Sequence, residues 1–403
     1  MKKNTEEIIR FKDRQASLIA TRNLKMARSA HAYVRGNTVK FYEWLQTSSN
    51  HQFPEGPAIW ICGDCHLGNL GPVADTRGRV AIQIRDLDQT VIGNPAHDLI
   101  RLGLSLAMSA RGSDLPGVTT ARMLEQLIQG YELAIAPKGN VKDTLEKPAS
   151  VQVIMKRALQ RSWKHLAKER IEDTRPTIPL GKQFWPLTEK EKLDISKLFE
   201  DKTVSDLVTS LRSRSDDASI RVVDAAYWKK GCSSLGHLRF AVLVEYSGKS
   251  ADTDNLCLID IKEAVQAVAS HARGAKMPRD NAMRVVAGAR NLAPYLGERM
   301  VASHLLDRSV FLREVLPQDL KLEIKRLSCD EAMIAAKFLG AVVGRAHASQ
   351  MDNATRKSWH RELLRNHTKT LDAPSWLWTS VVALVTQHEG AYLEHCRKYA
   401  MSR

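Results

Sequence analysis

Long apolar runs are absent from this 403-residue sequence, although 43% of its residues are hydrophobic. The longest apolar stretches fall well short of the ~18 residues that a membrane-spanning helix needs. The N-terminus, Met1 to Glu7, is charged and lacks the apolar centre of a signal peptide. We therefore expect a cytoplasmic protein without a membrane partner. The chain is long enough for two lobes, each with its own core.

Cysteine is scarce, and its spacing limits the metal sites that the chain can form. Only Cys62 and Cys65 of the six cysteines are close together, in the sequence C-G-D-C. One C-x-x-C can be redox-active or supply half of a zinc site. A second pair and a Cys/His cluster that would complete four ligands are both missing. We favour the interpretation that both are small packing residues around Asp64.

Long blocks of lysine and arginine are also missing, despite a formal net charge of +15. The basic residues are spread along predicted helices, which is typical of a solvated surface. Recognition-helix patterns, zinc-finger spacings and aromatic RNA-binding motifs are absent from the sequence. A nucleic-acid partner is therefore the less favoured interpretation. A basic nucleic-acid-binding protein stays an alternative, and it predicts binding that weakens steeply with salt.

The pattern of apolar residues predicts an α+β protein. Residues 5–48, 95–111, 118–213 and those from 330 onward have helical character, whereas several strand-like runs fall between 216 and 324. We predict a large helical lobe at 1–215, a small β-rich lobe at 216–324, and helices at 325–403 that complete the large lobe. Two further strands, at 58–62 and 79–84, are predicted to form a hairpin that presents Asp64 beside Asp86.

The loop at residues 63–69 contains residue types that phosphoryl transfer would use. This reaction needs a carboxylate beside the attacking hydroxyl, oxygen ligands for Mg²⁺, and cations on the phosphates. The sequence G-D-C-H-L-G-N resembles the G-D-x-H-x-x-N loop of aminoglycoside phosphotransferases and choline kinases. The resemblance implies that Asp64 orients or deprotonates the acceptor hydroxyl and that Asn69 holds Mg²⁺ or Mn²⁺. His66, the other catalytic-loop candidate, is expected to shape the loop by hydrogen bonding to its backbone.

Two acidic segments follow this loop in the order that the same families use. R-D-L-D-Q-T contains Asp86, which resembles the acidic metal ligand of kinases, and Asp88, a possible second ligand. The next run, I-G-N-P-A-H-D-L, resembles the phosphotransferase sequence G-D-P-x-x-D-L. By that resemblance Asp98 braces the catalytic loop from a helix start. Three such motifs in order within about 40 residues are a far more specific signal than one alone.

The expected phosphate loop and lysine lie after these motifs instead of before them. Gly231, Ser233, Ser234 and Gly236 form a loop whose backbone N–H groups could bind the phosphates of a nucleotide. Lys262 ends the later strand-like run L-C-L-I-D-I-K and is the candidate phosphate-binding lysine. This order predicts a bilobal protein kinase-like fold in circularly permuted order, which is tolerable because chain termini are often close together at the surface.

The whole chain resembles an uncharacterised bacterial family that is classified as a domain of unknown function. The resemblance rests on H-A-Y-V-R-G-N at 31–37, C-G-D-C-H-L-G-N-L-G at 62–71, R-D-L-D-Q-T at 85–90, the G-C-S-S-L-G loop, and I-K-E-A at 261–264. Arg35 belongs to the first of these motifs, and we place it near the phosphates, with a structural ion pair as the alternative. The glutamate that kinases pair with their lysine is missing between 264 and 297, which leaves Glu298 as a late candidate.

These observations predict a Mg²⁺-dependent phosphotransferase. It would move phosphate from ATP, or from another nucleotide, to a small-molecule acceptor. A nucleotide-binding pseudokinase and an AMP-transferring enzyme of the same fold remain alternatives, because the acidic partner of Lys262 is not assigned.

Overall fold

The structure is a computed structural model, and the part described covers residues 11–47, 53–112, 115–136, 145–163, 165–166, 177–211, 214–215, 218–247, 255–320, 322, 328–365 and 373–400. The helices within it are α1 (Arg14–Met26), α2 (Ala30–Gly36), α3 (Thr38–Thr47), α4 (Ala96–Arg111), α5 (Gly117–Ile135), α6 (Ala149–Gln160), α7 (Glu189–Leu198), α8 (Lys202–Thr209), α9 (Asn281–Leu292), α10 (Pro294–Gly297), α11 (Cys329–Ala348), α12 (Asn353–Arg365) and α13 (Ser375–Tyr399). None of these helices is both long enough and apolar enough to cross a bilayer.

The strands form three antiparallel sheets, so the protein is of the α+β class. They are β1 (Ile59–Ile61), β2 (Leu70–Ala74), β3 (Val80–Ile84), β4 (Val91–Gly93), β5 (Phe184–Trp185), β6 (Ile220–Trp228), β7 (Arg239–Tyr246), β8 (Leu256–Glu263), β9 (Met300–Leu305) and β10 (Arg308–Glu314). The largest sheet has six strands in the order β5-β6-β7-β8-β10-β9, whereas β1 pairs with β4 and β2 pairs with β3.

The predicted hairpin between residues 58–62 and 79–84 is wrong in its pairing. Ile59 is paired with Gly93 in β4, and Val80 is paired with Ala74 in β2. Gly71 and Pro72 are residue types typical of a turn, but both belong to β2. Proline is tolerated there because β2 pairs on one side only.

The six-stranded sheet has two buried faces with different contents. Side chains alternate along a strand, so Ile259 and Ile261 of β8 face the opposite way from Asp260 and Lys262. The face with Ile259 packs against apolar residues of α7 and α8, and we call it the helix-side face. We call the face with Lys262 the cleft-side face. Strands β6 to β10 all lie within the predicted small lobe, and β5 adds an edge strand from residues 184–185.

A separate, larger apolar core unites the helical part of the molecule. It contains residues from α3, α4, α5, α9, α11 and α13, together with the short strands β1 to β4. Helix α4 confirms the helix predicted at 95–111, and Pro95 occupies its N-cap. Residues 5–10, 48, 216–217 and 323–327, where the first predicted helix and the predicted lobe boundaries partly fall, lie outside the described residues.

Candidate functional site

The loop after β1 has a tight geometry that depends on Gly63. Its φ of +74° lies in the left-handed region, and a Cβ at this position would collide with the carbonyl oxygen of Gln89. The Tyr42 hydroxyl donates a hydrogen bond of 2.6 Å to the Gly63 carbonyl oxygen. Only glycine combines this backbone conformation with so close an approach of another chain segment. The loop therefore lies firmly against both α3 and the segment after β3.

Asp98 connects this loop to two helices. Its carboxylate accepts hydrogen bonds from the backbone N–H groups of Cys62 at 2.7 Å and Gly63 at 3.0 Å. His347 of α11 lies on the same carboxylate, with Nε2 3.2 Å from Oδ2, and its Nδ1 lies 3.0 Å from the Tyr131 hydroxyl of α5. A buried carboxylate with these partners is fully hydrogen-bonded, and it fixes the start of the loop relative to α4.

Asp64 points into a cleft and is paired with a buried arginine. Arg101 donates from Nε to Asp64 Oδ1 at 2.8 Å, and from Nη2 to the Val34 carbonyl oxygen at 2.7 Å. Arg101 is fully buried, whereas Asp64 keeps 8% of its surface exposed. Arg101 is not among the residues predicted from the sequence. An arginine inside the apolar run Leu99 to Leu106 was the available signal, since a buried cation needs an anionic partner.

Asn69 and His66 hold the loop in shape from within. Asn69 donates from Nδ2 to the Asp64 carbonyl oxygen at 3.0 Å, so its amide oxygen lies on the other side of the amide group. His66 accepts from the Gly68 N–H at Nδ1, at 3.0 Å. Burial, with the charges of Arg101 and Arg35 nearby, lowers the pKa of His66 well below its usual value. His66 is therefore neutral, lies behind the loop, and does not line the cleft.

Lys262 from the six-stranded sheet meets two carboxylates that follow β3. Its Nζ lies 3.3 Å from Asp86 Oδ1 and also forms an ion pair with Asp88. The Lys262 side chain is only 6% exposed, although 176 residues separate it from Asp86. Glu298, the late candidate for a partner, instead accepts a hydrogen bond from Thr76. The acidic partners that the sequence left unassigned are thus Asp86 and Asp88.

The two carboxylates are in different electrostatic states. Burial opposes ionisation of Asp86, but the charges of Lys262, Arg313 and Arg239 outweigh it and lower the pKa of Asp86. Burial and repulsion from Asp86 raise the pKa of Asp88 to about 6. Among the described residues, buried Asp88 Oδ1 has no hydrogen-bond partner. An oxygen of this kind, beside a second carboxylate and an amide oxygen, is the donor type that Mg²⁺ prefers.

The loop between β6 and β7 approaches the cleft from the opposite wall. Gly231 and Gly236 have φ of +91° and +108°, values that other residues rarely adopt. Lys25 of α1 donates to the Gly231 carbonyl oxygen at 2.9 Å, which attaches the loop to the N-terminal helices. Ser233 and Ser234 line the cleft, while Gly236 lines a neighbouring cavity. Gly231 shapes the loop without lining either space.

Arg35 of α2 lies between the two loops. Its guanidinium packs against Gly68, where an added Cβ would lie 2.6 Å from Nη2. Its charge acts on His66 on one side and on Cys232 of the β6–β7 loop on the other. Within the described part of the chain, Arg35 Nε is buried without a hydrogen-bond partner. Arg35 does not line the cleft itself.

The cleft between the helical lobe and the sheet measures about 200 Å³. The predicted site residues that line it are Asp64, Asn69, Asp86, Asp88, Ser233, Ser234 and Lys262. Arg22 of α1 and Thr38 of α3 line it as well, and the sequence analysis missed both. The predicted residues outside its wall are His66, Arg35, Gly231, Gly236 and Asp98. The cleft thus combines carboxylates, an amide, hydroxyls and cations around one small space.

Cys62 and Cys65 are buried free thiols next to this site. Their sulfur atoms and an Asp98 oxygen lie within 4.8 Å of one another. The hydrogen bond with Cys65, together with burial, raises the pKa of Cys62 well above its usual value. A metal would need the thiolates and a further ligand, and the described residues add none to this group. The geometry therefore favours packing residues over half of a zinc site.

The chain belongs to a bacterial family. The family model described as "Uncharacterized protein conserved in bacteria (DUF2252)" matches residues 14–398, which is nearly the whole sequence. No curated protein and no solved structure matches the chain. Any function must therefore be argued from the site itself.

Proposed function

We propose that this protein is a Mg²⁺-dependent phosphotransferase that moves phosphate from ATP, or another nucleotide, to a small-molecule acceptor. One observation carries the proposal. Lys262 from the sheet and Asp86 from the helical lobe meet at 3.3 Å, in the same cleft that holds Asp64 and Asn69. These are the groups that phosphoryl transfer requires: a carboxylate for the acceptor, metal ligands, and a cation for the phosphates.

The order of elements supports a kinase-like fold in circularly permuted order. Strands β6, β7 and β8 are consecutive neighbours, α9 follows, and β9 and β10 complete the sheet. In the proposed fold these elements form the nucleotide-binding lobe, with Lys262 on its third strand. Helix α11 returns to the large lobe, where His347 contacts Asp98. The lobe that precedes the catalytic loop in ordinary kinases therefore follows it here.

The residues of the cleft fit a divalent cation. Asn69, Asp86 and Asp88 would hold Mg²⁺. The specific feature that favours it is the buried Asp88 Oδ1, which has no hydrogen-bond partner in the described part of the chain. When bound, the metal neutralises charge on the phosphate oxygens. Lys262 then exchanges its carboxylate contacts for phosphate contacts. Lys262 binds phosphate as a compact point charge, and the N–H groups of the β6–β7 loop bind the remaining oxygens.

Asp64 is the proposed acceptor-side residue. One Asp64 carboxylate oxygen accepts a hydrogen bond from Arg101, which fixes the orientation of the carboxylate. The Asp64 side chain lines the cleft. In this role Asp64 accepts the hydrogen bond of the acceptor hydroxyl and aligns its oxygen with the phosphate. Arg101 acts on Asp64 directly through their ion pair, whereas Asp98 and His66 shape the loop that carries Asp64.

The test measures Mg²⁺-dependent thermal stabilisation by ATP and ATP turnover with candidate acceptors. Wild type is expected to be stabilised, because a ligand that binds only the folded state raises its stability. Asp86→Asn should lose the Mg²⁺-dependent part, and Lys262→Ala should lose most of the nucleotide effect. An exposed substitution at the start of α8, Lys202→Ala, is the control, since Lys202 does not line the cleft. If no nucleotide stabilises wild type with Mg²⁺ or Mn²⁺, the proposal fails.

A pseudokinase is the second candidate, and the Asp64–Arg101 ion pair is the observation that favours it. A carboxylate held by a fully buried arginine is suited to orienting a hydroxyl and less suited to removing its proton. This candidate predicts stabilisation by nucleotide without turnover. Release of pyrophosphate instead of phosphate would indicate the third option, AMP transfer by the same fold.

A further inference from the structure

The cleft is too small for a whole nucleotide. Sites for ligands of that size usually measure about 300–1,000 Å³, whereas this cleft measures about 200 Å³. The space suits a metal ion and a phosphate chain. The nucleoside part of a donor must therefore extend beyond the cleft, either deeper along the cleft-side face of the sheet or outward past the β6–β7 loop.

The deeper direction is closed by a buried charge network. Asp260 is two residues before Lys262 and shares its face of β8. Arg239 of β7 donates two hydrogen bonds to the Asp260 carboxylate, at 2.9 and 2.6 Å. Arg313 of β10 also binds Asp260, at 3.3 Å, and donates to the Arg85 carbonyl oxygen at 3.2 Å. Moving these groups would leave buried charges without partners.

An apolar cluster fills the space behind this network. Trp228 of β6, Ala241 of β7 and Leu258 of β8 lie on the same face, and they pack against Phe184 and Ile178. The Arg239 guanidinium lies 5.3 Å from the centre of the Trp228 ring, so the network and the cluster are in direct contact. The chain's own side chains thus occupy this face beyond Lys262.

The outward direction leads into a much larger space, which we call the outer cavity. It measures about 920 Å³, within the range of nucleotide-sized sites. His237, Glu263 and Val265 line both the outer cavity and the cleft, so the two spaces meet where β7 begins and β8 ends. The far walls come from the start of α1 and the start of α7.

The outer cavity has a wall suited to a flat heteroaromatic group. The centre of the Phe11 ring, which is 60% exposed, lies 4.8 Å from the buried Arg14 guanidinium, and the centre of the Tyr227 ring lies 4.5 Å from the same guanidinium. Glu191 fixes Arg14 with a 2.6 Å ion pair. The Gln15 side chain packs against Gly236 at the edge of the β6–β7 loop. The Gln15 amide can both donate and accept hydrogen bonds there. A base and a ribose match this mixture of planar and polar groups.

We propose that the nucleoside of the phosphate donor binds in the outer cavity. Its phosphate chain then passes the loop at Gly236 and His237 and enters the cleft, where Lys262, Asp86 and Asp88 hold it. This inference rests on the proposed function, and it adds the binding site of the nucleoside. The donor would lie across the end of the sheet, not along the cleft-side face.

The test compares two probes on the full-length chain with Mg²⁺: ATP and inorganic tripolyphosphate. Gln15→Trp and Lys190→Trp each add bulk to a different wall of the outer cavity, and both residues are exposed. Ala16→Trp is the matched control, since Ala16 is an exposed neighbour on α1 that lines neither space. Both cavity variants should bind ATP about tenfold more weakly, with tripolyphosphate affinity within about twofold of wild type.

Three results would overturn the inference. The first is unchanged ATP affinity in both cavity variants. The second is a wild type that binds tripolyphosphate as tightly as ATP, since the nucleoside would then contribute nothing. In both of these cases, loss of tripolyphosphate binding in Asp86→Asn would still uphold the proposed function. The third result, no binding of either probe to wild type, would remove the proposed function and the inference together.

Discussion

The Asp98 carboxylate shows how much of the candidate site depends on one buried side chain. It accepts hydrogen bonds from the N–H groups of Cys62 and Gly63 and contacts His347. Only 1% of the Asp98 surface is exposed. These partners belong to the loop after β1 and to α11. A change that keeps the size of Asp98 but alters its acceptors should therefore affect both stability and the geometry of the cleft.

Asp98→Asn makes this argument testable. The asparagine N–H₂ group must face at least one of the donors that now bind the carboxylate, which leaves a buried N–H unpaired. We expect a loss of about 1–3 kcal/mol in the free energy of unfolding. Chemical denaturation measures it, with exposed Asp206→Asn as the control, expected within about 0.5 kcal/mol of wild type. Equal stability of the two variants would contradict the bracing role.

His388 of α13 gives a second residue-level prediction, on pH. Burial, together with the charge of Arg101, lowers the pKa of His388 to about 4. In the unfolded chain the imidazole takes up its proton near the ordinary value of about 6.5. Between these values the unfolded state binds more protons, so stability is complete above about pH 6.5 and falls as the pH drops towards 4.

His388→Gln should remove this contribution. Between about pH 7 and pH 5, wild type should lose about 2 kcal/mol more than the variant. The reason is that pH 5 lies about 1.5 units below the unfolded-state pKa, and each unit corresponds to about 1.4 kcal/mol. The contributions of the other titratable groups to stability are the same in both proteins, so they cancel in this comparison. Urea denaturation at the two pH values measures the difference. Parallel losses in both proteins would show that His388 is not held neutral by burial.

At the level of elements, the loop at residues 63–69 is constrained both by its own backbone and by a neighbouring segment. Gly63 and Gly78 have similar positive φ, +74° and +80°. A Cβ at Gly63 would collide with the Gln89 carbonyl oxygen, whereas a Cβ at Gly78 would meet nothing within 4 Å. Alanine substitutions at these two glycines therefore separate the free-energy cost of the left-handed backbone from the cost of the collision at Gln89.

Gly78→Ala should cost about 1–2 kcal/mol, the penalty of a left-handed conformation alone. Gly63→Ala should cost about 3 kcal/mol or more, since the loop or the Gln89 segment must also move. Gly63→Ala should in addition lose stabilisation by Mg²⁺ and ATP, because Asp64 follows directly. Thermal denaturation with and without ligand measures both effects. Similar values for the two variants would mean that the collision is relieved at little cost.

The elements also show which features the sequence could predict. Helix α4 was predictable because Pro95 precedes a leucine-rich segment that ends at Arg111. Strand β2 was not, because Gly71 and Pro72 have the composition of a turn and only pairing with β3 reveals the strand. Strand β5 has two residues, too few for any periodicity. The loop motifs singled out Asp64, Asn69 and Asp86 by their local spacing, and all three line the same cleft.

At the scale of the whole molecule, the cleft depends on contacts that no local pattern contains. Arg101 reaches Asp64, and Arg22 and Thr38 line the cleft, only because α1, α3 and α4 pack around the loop. The sequence suggested that Lys262 belongs to this site, but its ion pair with Asp88 depends on how the sheet lies against the helical lobe. That long-range contact is the part of the site most in need of measurement.

A double-mutant cycle on Lys262→Met and Asp88→Asn measures this contact in the absence of Mg²⁺ and nucleotide. The two side chains are 6% and 22% exposed, so the coupling should be about 1–3 kcal/mol. Arg221 and Glu245 provide the matched control, an ion pair whose side chains are 71% and 45% exposed. The cycle on Arg221→Met and Glu245→Gln should give less than about 1 kcal/mol.

Equal coupling energies in the two cycles would mean that Lys262 and Asp88 are apart in solution before ligand binds, so that the cleft is open. A larger coupling for Lys262 and Asp88 would mean that the sheet rests on the helical lobe without ligand, with the lysine in place before the donor arrives.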